Sequence, residues 1–426
     1  MIEEREKLIG ELKVFFQNAD ETFVLQKNTK TFDEQAWEQV INRLAISKFR
    51  KGKIFYIFKK GNIPELEAIY IGITKDVKKR LTVHKESLAR GLQQQHTKEE
   101  IKYHFWNNTL FCDSGVNELE FLLYDWNNQR SITNDIFYGI EVNYQNAEAL
   151  LTAIVGTLFP ANILNREYVG RENPLEKVVF ANKRTVKING SNIAEFWESF
   201  TNWFIDGPDI PLFEIDKNHL IKIGVTKGGK RFLKKHPLMK KRIQEEVTKV
   251  KEGYEKRVDS GVSYADGLLY MVYCRKQDLE RTKELPGERL DVIPIYIGKT
   301  ETLGRKGGFS ANLKGVAEGK NKQYFARWGL DDARHMGGLS RAFFREENKY
   351  PSCDYENWIS VMMEGKSRTN LIPKLAIPVY FRMKAWYPAE MEVKGIESIG
   401  TANMEAILIA VGRELFPDIL TNKQGR

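Results

Sequence analysis

Cysteine is scarce in this chain, with three thiols (Cys112, Cys274 and Cys353) spread far apart in 426 residues. No pair has the close spacing of a zinc or redox motif, which excludes a disulfide scaffold and a cysteine-rich metal site. Long apolar runs are missing as well. No stretch approaches the ~18 consecutive apolar residues of a membrane helix, so no membrane partner is expected. The opening MIEEREKLIGELKVFF places acids where an export signal needs a basic region before an apolar one. A cytoplasmic protein is expected. No glycine-rich P-loop pattern is present, which argues against an ATP-driven motor.

What is present is ordinary in bulk and uneven in distribution. Hydrophobic residues make up 42% and charged residues 29% of the chain, as in a soluble globular protein. At about 100–200 residues per domain the length predicts two to four domains. The net charge of +9 is local: residues 222–257 hold 13 Lys and Arg against 4 Glu, and the rest of the chain balances. A concentrated basic segment suits a polyphosphate partner, because each phosphate contact releases condensed counterions. The same segment also reads as a solvated helix with Lys-rich faces.

Residues 1–50 read as a cap of two amphipathic helices, one carrying Leu8, Leu12, Phe15 and Phe16, the other over 33–47 with Trp37, Val40, Ile41 and Leu44 at helical spacing. From Lys53 the period changes to short apolar runs at 54–58 and 68–73 around a Gly-Asn-Ile-Pro turn, a hairpin signal. Asp76 is placed to cap a following helix. Residues 136–144 alternate like a strand, and Asn146 reads as the cap of a helix that Pro160 ends. Residues 169–262 read as a connector with an aromatic patch at 196–204, expected to be buried, and a basic helix. At Gly267 the earlier order restarts, with strands at 268–273, 295–298 and 377–387 and a last helix after Asn403. The expected division is therefore 1–50, 51–168, 169–262 and 263–426.

The restart is a repeat. Laid without gaps, NAEALLTAIVGTLFPANILN from Asn146 matches NMEAILIAVGRELFPDILTN from Asn403 at nine of twenty positions, including Glu148 with Glu405 and Asn165 with Asn422. Packing explains the shared leucines. It does not require an acid early in the helix or an amide five residues after the proline, although an acid there gains up to about 1 kcal/mol from the helix dipole.

Ile54-Phe55-Tyr56, then Tyr70-Ile71-Gly72, then Arg80 and His84, then Glu148 and Asn165, form an ordered set that resembles a GIY-YIG endonuclease domain. Gly267-Leu268-Leu269-Tyr270, Tyr296-Ile297-Gly298, Glu405 and Asn422 form a second, divergent set. No histidine follows Gly298 at the matching distance, and Arg305 is the best-placed arginine. The resemblance implies an α+β fold, two GIY-YIG-like domains each with a small antiparallel sheet flanked by helices, and hydrolysis of phosphodiesters with one divalent ion, Mg²⁺ or Mn²⁺. It further implies that Glu148 and Glu405 hold the metal, and that Tyr56, Tyr70, Arg80, His84, Asn165, Tyr270, Tyr296, Arg305 and Asn422 serve catalysis.

The chemistry of those residue types is compatible with that role. Tyr56 would act as base or water-positioner, assisted by Tyr70 or His84; a free tyrosine has a pKa near 10, so cationic neighbours are needed. Arg80 supplies one and can grip phosphate bidentately. Arg80 and His84, four apart, share a helix face, and an oxygen ligand such as Glu148 suits a hard ion that keeps most of its waters. Gly72 lets a backbone or ligand approach closely.

Two cutting sites in one chain would sever a duplex one strand per site without a dimer, so a monomer suffices, and a homo-oligomer is equally compatible with the sequence. The expected partner is duplex DNA, with RNA or modified DNA sharing the same backbone chemistry. Lys230, Arg231, Lys234, Lys235, Lys240, Lys241 and Arg242 are the expected phosphate contacts. Restriction or phage defence is the expected context, with a repair or mobile-element nuclease, or a non-catalytic nucleic-acid-binding protein, as the alternatives.

Overall fold

The computed structural model describes residues 2–26, 34–45, 49, 52–60, 70–93, 118–126, 144–158, 186–188, 190–225, 229, 231–260, 264–280, 290–303, 309–317, 344, 361–364, 374–388, 391–393, 396–397 and 399–422. The fold is mixed, of helices and several small, mainly antiparallel sheets, in keeping with the α+β expectation. The chain divides into two compact units, Met1–Gly170 with Gly425–Arg426, and Arg171–Gln424. Among the described residues no helix is long and apolar enough to cross a membrane.

In the first unit the order is α1 (Ile2–Gln17), β1 (Glu21–Gln26), α2 (Glu34–Ala45), β2 (Ile54–Lys60), β3 (Tyr70–Thr74), α3 (Val77–Gln93), β4 (Glu118–Asp125) and α4 (Tyr144–Leu158). The four strands form one antiparallel sheet in the order β1-β4-β2-β3. Strand alternation sends Ile54, Tyr56 and Phe58 to one face, where they pack with Phe121 and Leu123 of β4 against Trp37 and Leu44 of α2 and Leu81 of α3. Trp37 ties the two helices together, its Nε1 donating to the carbonyl of Leu81 at 3.1 Å. On the opposite face Phe15 of α1 stacks on Tyr124 at 5.1 Å, and the Tyr124 hydroxyl donates to the Phe16 carbonyl.

Two expectations change here. The N-terminal segment is not a cap of helices alone, because β1 lies between them and extends the sheet through β4. Helix α4 begins at Tyr144, so Asn146 lies inside it rather than capping it, and Tyr144 is helical. Residues 136–143 of the expected strand lie outside the described residues.

The second unit contains β5 (Val186–Ile188), α5 (Ile193–Phe204), β6 (Ile223–Val225), β7 (Arg231–Leu233), α6 (Pro237–Ser260), β8 (Gly267–Arg275), α7 (Lys276–Glu280), β9 (Val292–Glu301), α8 (Ala311–Ala317), β10 (Tyr380–Trp386), β11 (Met391–Val393), β12 (Ile396–Glu397) and α9 (Thr401–Leu415). Its central sheet, β10-β8-β9, is antiparallel. The order repeats β4-β2-β3 of the first unit: a hairpin, a helix after it, a later strand on the hairpin's first strand, and a closing helix. Met239, Ile243, Val247 and Val250 of α6 pack on Leu268, Tyr270, Val272, Phe381 and Met383.

The expected basic helix is a hairpin followed by a helix. β6 pairs with β7, where Gly224 fits under the ring of Phe232, and α6 starts only at Pro237. The connector is not a separate body, since α5 and α6 both pack within the second unit. Phe196, Trp197, Phe200 and Phe204 are buried as expected, and Trp197 Nε1 donates to the Val292 carbonyl at 2.9 Å. Helix α9 starts at Thr401 behind Gly400, so Asn403 does not cap it; Asp266 Oδ2 accepts from the Thr401 N–H at 2.7 Å instead.

Candidate active site

Four residues distant in sequence converge in the first unit. Tyr56 on β2 is paired in register with Gly72 on β3 and lies next to Tyr70, ring centroids 6.1 Å apart. Asp76 caps α3, its Oδ1 accepting from the Lys79 N–H at 2.9 Å. Val77 and Leu81 of that helix enter the core. With the helix so oriented, Arg80 and His84, one turn apart, face the two phenols.

Arg80 Nε donates to Tyr56 Oη at 3.1 Å, and Arg80 Nη2 donates to Tyr70 Oη at 3.3 Å. Tyr56 Oη lies 2.9 Å from His84 Nε2. A phenol oxygen has two acceptor positions and one proton. Arg80 fills one acceptor position, and which partner donates between Tyr56 and His84 follows the tautomer of the imidazole.

Tyr56, Tyr70 and His84 are all buried, while Arg80 and Glu148 are half-buried and form the solvent edge of the group. Burial pushes the Tyr56 phenol up to about 12; the Arg80 guanidinium pulls the other way without prevailing, and Glu148 adds to the rise. Tyr70 rises as well, from burial and from the neighbouring Tyr56. Burial pulls the Arg80 guanidinium down, but the two phenols outweigh it and hold the cation. Both phenols are therefore neutral near pH 7 and linked through one permanent cation. Glu148, the fifth residue of α4, is close enough to act on both phenols electrostatically. A half-exposed carboxylate offers a hard divalent ion oxygen donors. Among the described residues no group of three or more His, Cys, Asp or Glu is arranged to hold a metal. Asn165 lies outside the described residues.

The second unit reproduces part of this geometry. Tyr270 is paired with Gly298, and its ring lies 6.1 Å from that of Tyr296. A Cβ on Gly298 would stand 2.4 Å from Tyr270 Cζ, the same close approach that Gly72 makes to Tyr56. Glu405, again the fifth residue of its helix, departs from its counterpart: it is 4% exposed. Burial lifts its carboxyl to about 8; Lys299 opposes the rise and Glu301 adds to it. A carboxyl protonated at neutral pH is a poor metal ligand. Asn422 is committed to the backbone, its Oδ1 accepting from Ile297 N at 2.9 Å and its Nδ2 donating to Ile297 O at 2.7 Å. It clamps the centre of the Tyr296-Ile297-Gly298 run. Lys314 occupies the fourth position of α8, as Arg80 does in α3, but points to solvent. Arg305 lies outside the described residues.

The basic set separates by position. Lys241 and Arg231 are exposed, and Arg231 lies over the Phe344 ring at 4.6 Å. Lys234 and Lys240 are half-buried. Lys235 is 5% exposed, a position from which it does not reach a phosphate backbone. Arg242 is engaged with Glu246 at 3.2 Å and Asp206 at 3.6 Å. Lys230 lies outside the described residues.

Sequence reasoning passed over Asp266, which caps α9 from β8's approach, and the pair Arg382 and Lys384 on β10, which meet Asp206. The signal for the pair was in YFRMKAW, where cations alternate with core residues along a buried strand. In comparisons with family models, with curated proteins and with solved structures, no match to the chain is found.

Proposed function

We propose that the chain is a metal-dependent DNA endonuclease of the GIY-YIG type, acting in the cytoplasm in restriction or phage defence, with its hydrolytic site in the first unit. The observation that carries this reading is the convergence of Tyr56, Tyr70, Arg80 and His84 on one hydrogen-bonded group with Glu148 at its edge. Arg80 keeps a permanent positive charge beside the phenols and orients a phosphate by its remaining N–H groups. Tyr56 Oη would receive a proton from the attacking water as it passes its own to His84 Nε2, 2.9 Å away, with the imidazole proton on Nδ1 and Tyr70 beside it on the Arg80 guanidinium. This relay suits phenols that stay neutral at pH 7, whereas a free tyrosinate base does not. A divalent ion held by Glu148, Mg²⁺ or Mn²⁺, would neutralise charge on the phosphate and the departing oxygen.

For the second unit the burial of Glu405 favours a different reading, a recognition platform that keeps the Tyr270–Gly298 architecture without a metal carboxylate. The exposed cations Arg231 and Lys241 would then contact phosphates. Long, varied duplex DNA incubated with Mg²⁺ or Mn²⁺ tests the proposal: new ends that depend on metal support it, and DNA that is bound but stays intact across salt and pH favours a binder in both units.

A further inference from the structure

We propose that the edge of the second unit's central sheet, where Arg382 and Lys384 of β10 meet Arg242 of α6, is an oxyanion site for a phosphate group, with the Asp206 carboxylate seated in it as a displaceable stand-in. It involves no residue of the hydrolytic site and stands apart from that reading.

The three cations converge on one carboxylate. Arg242 Nη2 and Arg382 Nη1 each lie 3.6 Å from Asp206 Oδ1, and Lys384 Nζ lies 3.3 Å from Oδ2. These separations exceed the ~2.7–2.9 Å of a closed charge-assisted hydrogen bond. Arg275 and Asp209 in the same unit do close, at 2.7 and 2.9 Å. Asp206 is thus centred among its cations without closing fully on any one of them.

Burial sets the direction. The side chains of Arg382, Arg242 and Lys384 are 1%, 20% and 22% exposed, whereas that of Asp206 is 52% exposed. The cations form the floor, and the carboxylate sits at the mouth. Arg382 is held from behind by the carbonyls of Gly207 and Pro208, and its Nε is buried without a hydrogen-bond partner. Lys384 is fixed over the Trp203 ring at 4.3 Å, with Nζ donating to the Trp203 carbonyl.

Charge is in excess. The other acids at hand are already used: Glu246 accepts from Arg242, from Lys249 and from the Ala385 N–H, and Asp209, which acts on Arg382, is closed on Arg275. With Arg275 and its two acids included, five cations (Arg242, Lys249, Arg275, Arg382, Lys384) face four carboxylates (Asp206, Asp209, Glu246, Asp291), a local surplus of one positive charge. A phosphate carries more charge and more acceptor oxygens than a carboxylate, and its geometry matches guanidinium forks.

The test uses the full chain with Asp206→Asn, Asp206→Ala and Asp206→Ala/Lys384→Gln variants, titrated with inorganic phosphate at constant ionic strength and followed by thermal midpoint. Removing the stand-in charge should tighten phosphate binding about tenfold, and the added Lys384→Gln should cancel the gain. A phosphate response in both Asp206 variants no greater than wild type, or one that survives loss of Lys384, overturns the proposal. A second arm measures binding of a short labelled duplex in EDTA. Tighter duplex binding by the Asp206 variants assigns the site to strand phosphates. Unchanged duplex binding beside tighter inorganic phosphate assigns it to a free phosphate compound.

Discussion

Gly72 lies against Tyr56 so closely that a Cβ on the glycine would stand 2.4 Å from the phenol Cζ and 2.5 Å from Oη. No side chain fits there, so the glycine is a condition for where the hydroxyl sits, and therefore for its bonds to Arg80 and His84. Gly72→Ala should displace the phenol, lower the first unit's stability by about 1–3 kcal/mol as overpacking does, and abolish metal-dependent cleavage. Thermal unfolding and plasmid nicking read the two effects. Wild-type nicking by this variant would mean that the Tyr56 hydroxyl position is not used.

Tyr56→Phe keeps the ring and removes the atom that joins Arg80 and His84. The relay predicts loss of cleavage by about 10²-fold or more, with a cost of about 1–3 kcal/mol because buried polar partners lose their bond. His84→Ala should give a similar loss of cleavage. Cleavage that falls in neither variant would rule out proton transfer along this path.

The buried phenol also gives a pH signature. The Tyr56 pKa is raised from 10 to about 12 in the fold, so the unfolded chain releases this proton first as pH rises. Stability from this group is complete below pH 10 and is lost between about 10 and 12. Ultraviolet titration of wild type against Tyr56→Phe should show one tyrosine ionising in that upper window.

Glu405 gives the corresponding window at lower pH. Its carboxyl rises from 4.5 to about 8, so the folded protein holds a proton that the unfolded chain has lost, and stability declines as pH climbs from about 4.5 to 8. Glu405→Gln should flatten that decline and raise the midpoint at pH 8. A variant less stable than wild type at pH 8 would show that the charged carboxylate is what the fold requires.

The basic residues should divide by burial. Arg231→Ala and Lys241→Ala should weaken DNA binding across sequences, and each should reduce the salt slope by about one unit, the share of a single neutralised phosphate. Lys235→Ala should leave the slope unchanged and lower stability. A slope change from Lys235 rather than from the exposed pair would reverse the proposed interface.

Local signals made the first site legible. Arg80 and His84 share a helix face by spacing alone, Asp76 announces the helix that carries them, and the hairpin puts Tyr56 beside Tyr70 and Gly72. β4 was hidden because ELEFLLYD buries both faces and so does not alternate. The hairpin of β6 and β7 was masked by lysines that read as a helix surface. The start of α9 depends on Asp266, more than a hundred residues away, a partner no local pattern announces. The burial of Glu405 has the same origin: its sequence context matches that of Glu148, and only tertiary packing separates a half-exposed carboxylate from a buried one.

The most direct test of the central claim is the strand cleavage of supercoiled plasmid with Mg²⁺ or Mn²⁺ by wild type, Glu148→Ala and Glu405→Gln. Metal-dependent cleavage by wild type and by Glu405→Gln, with none by Glu148→Ala, is the predicted result. Undiminished cleavage by Glu148→Ala would contradict it.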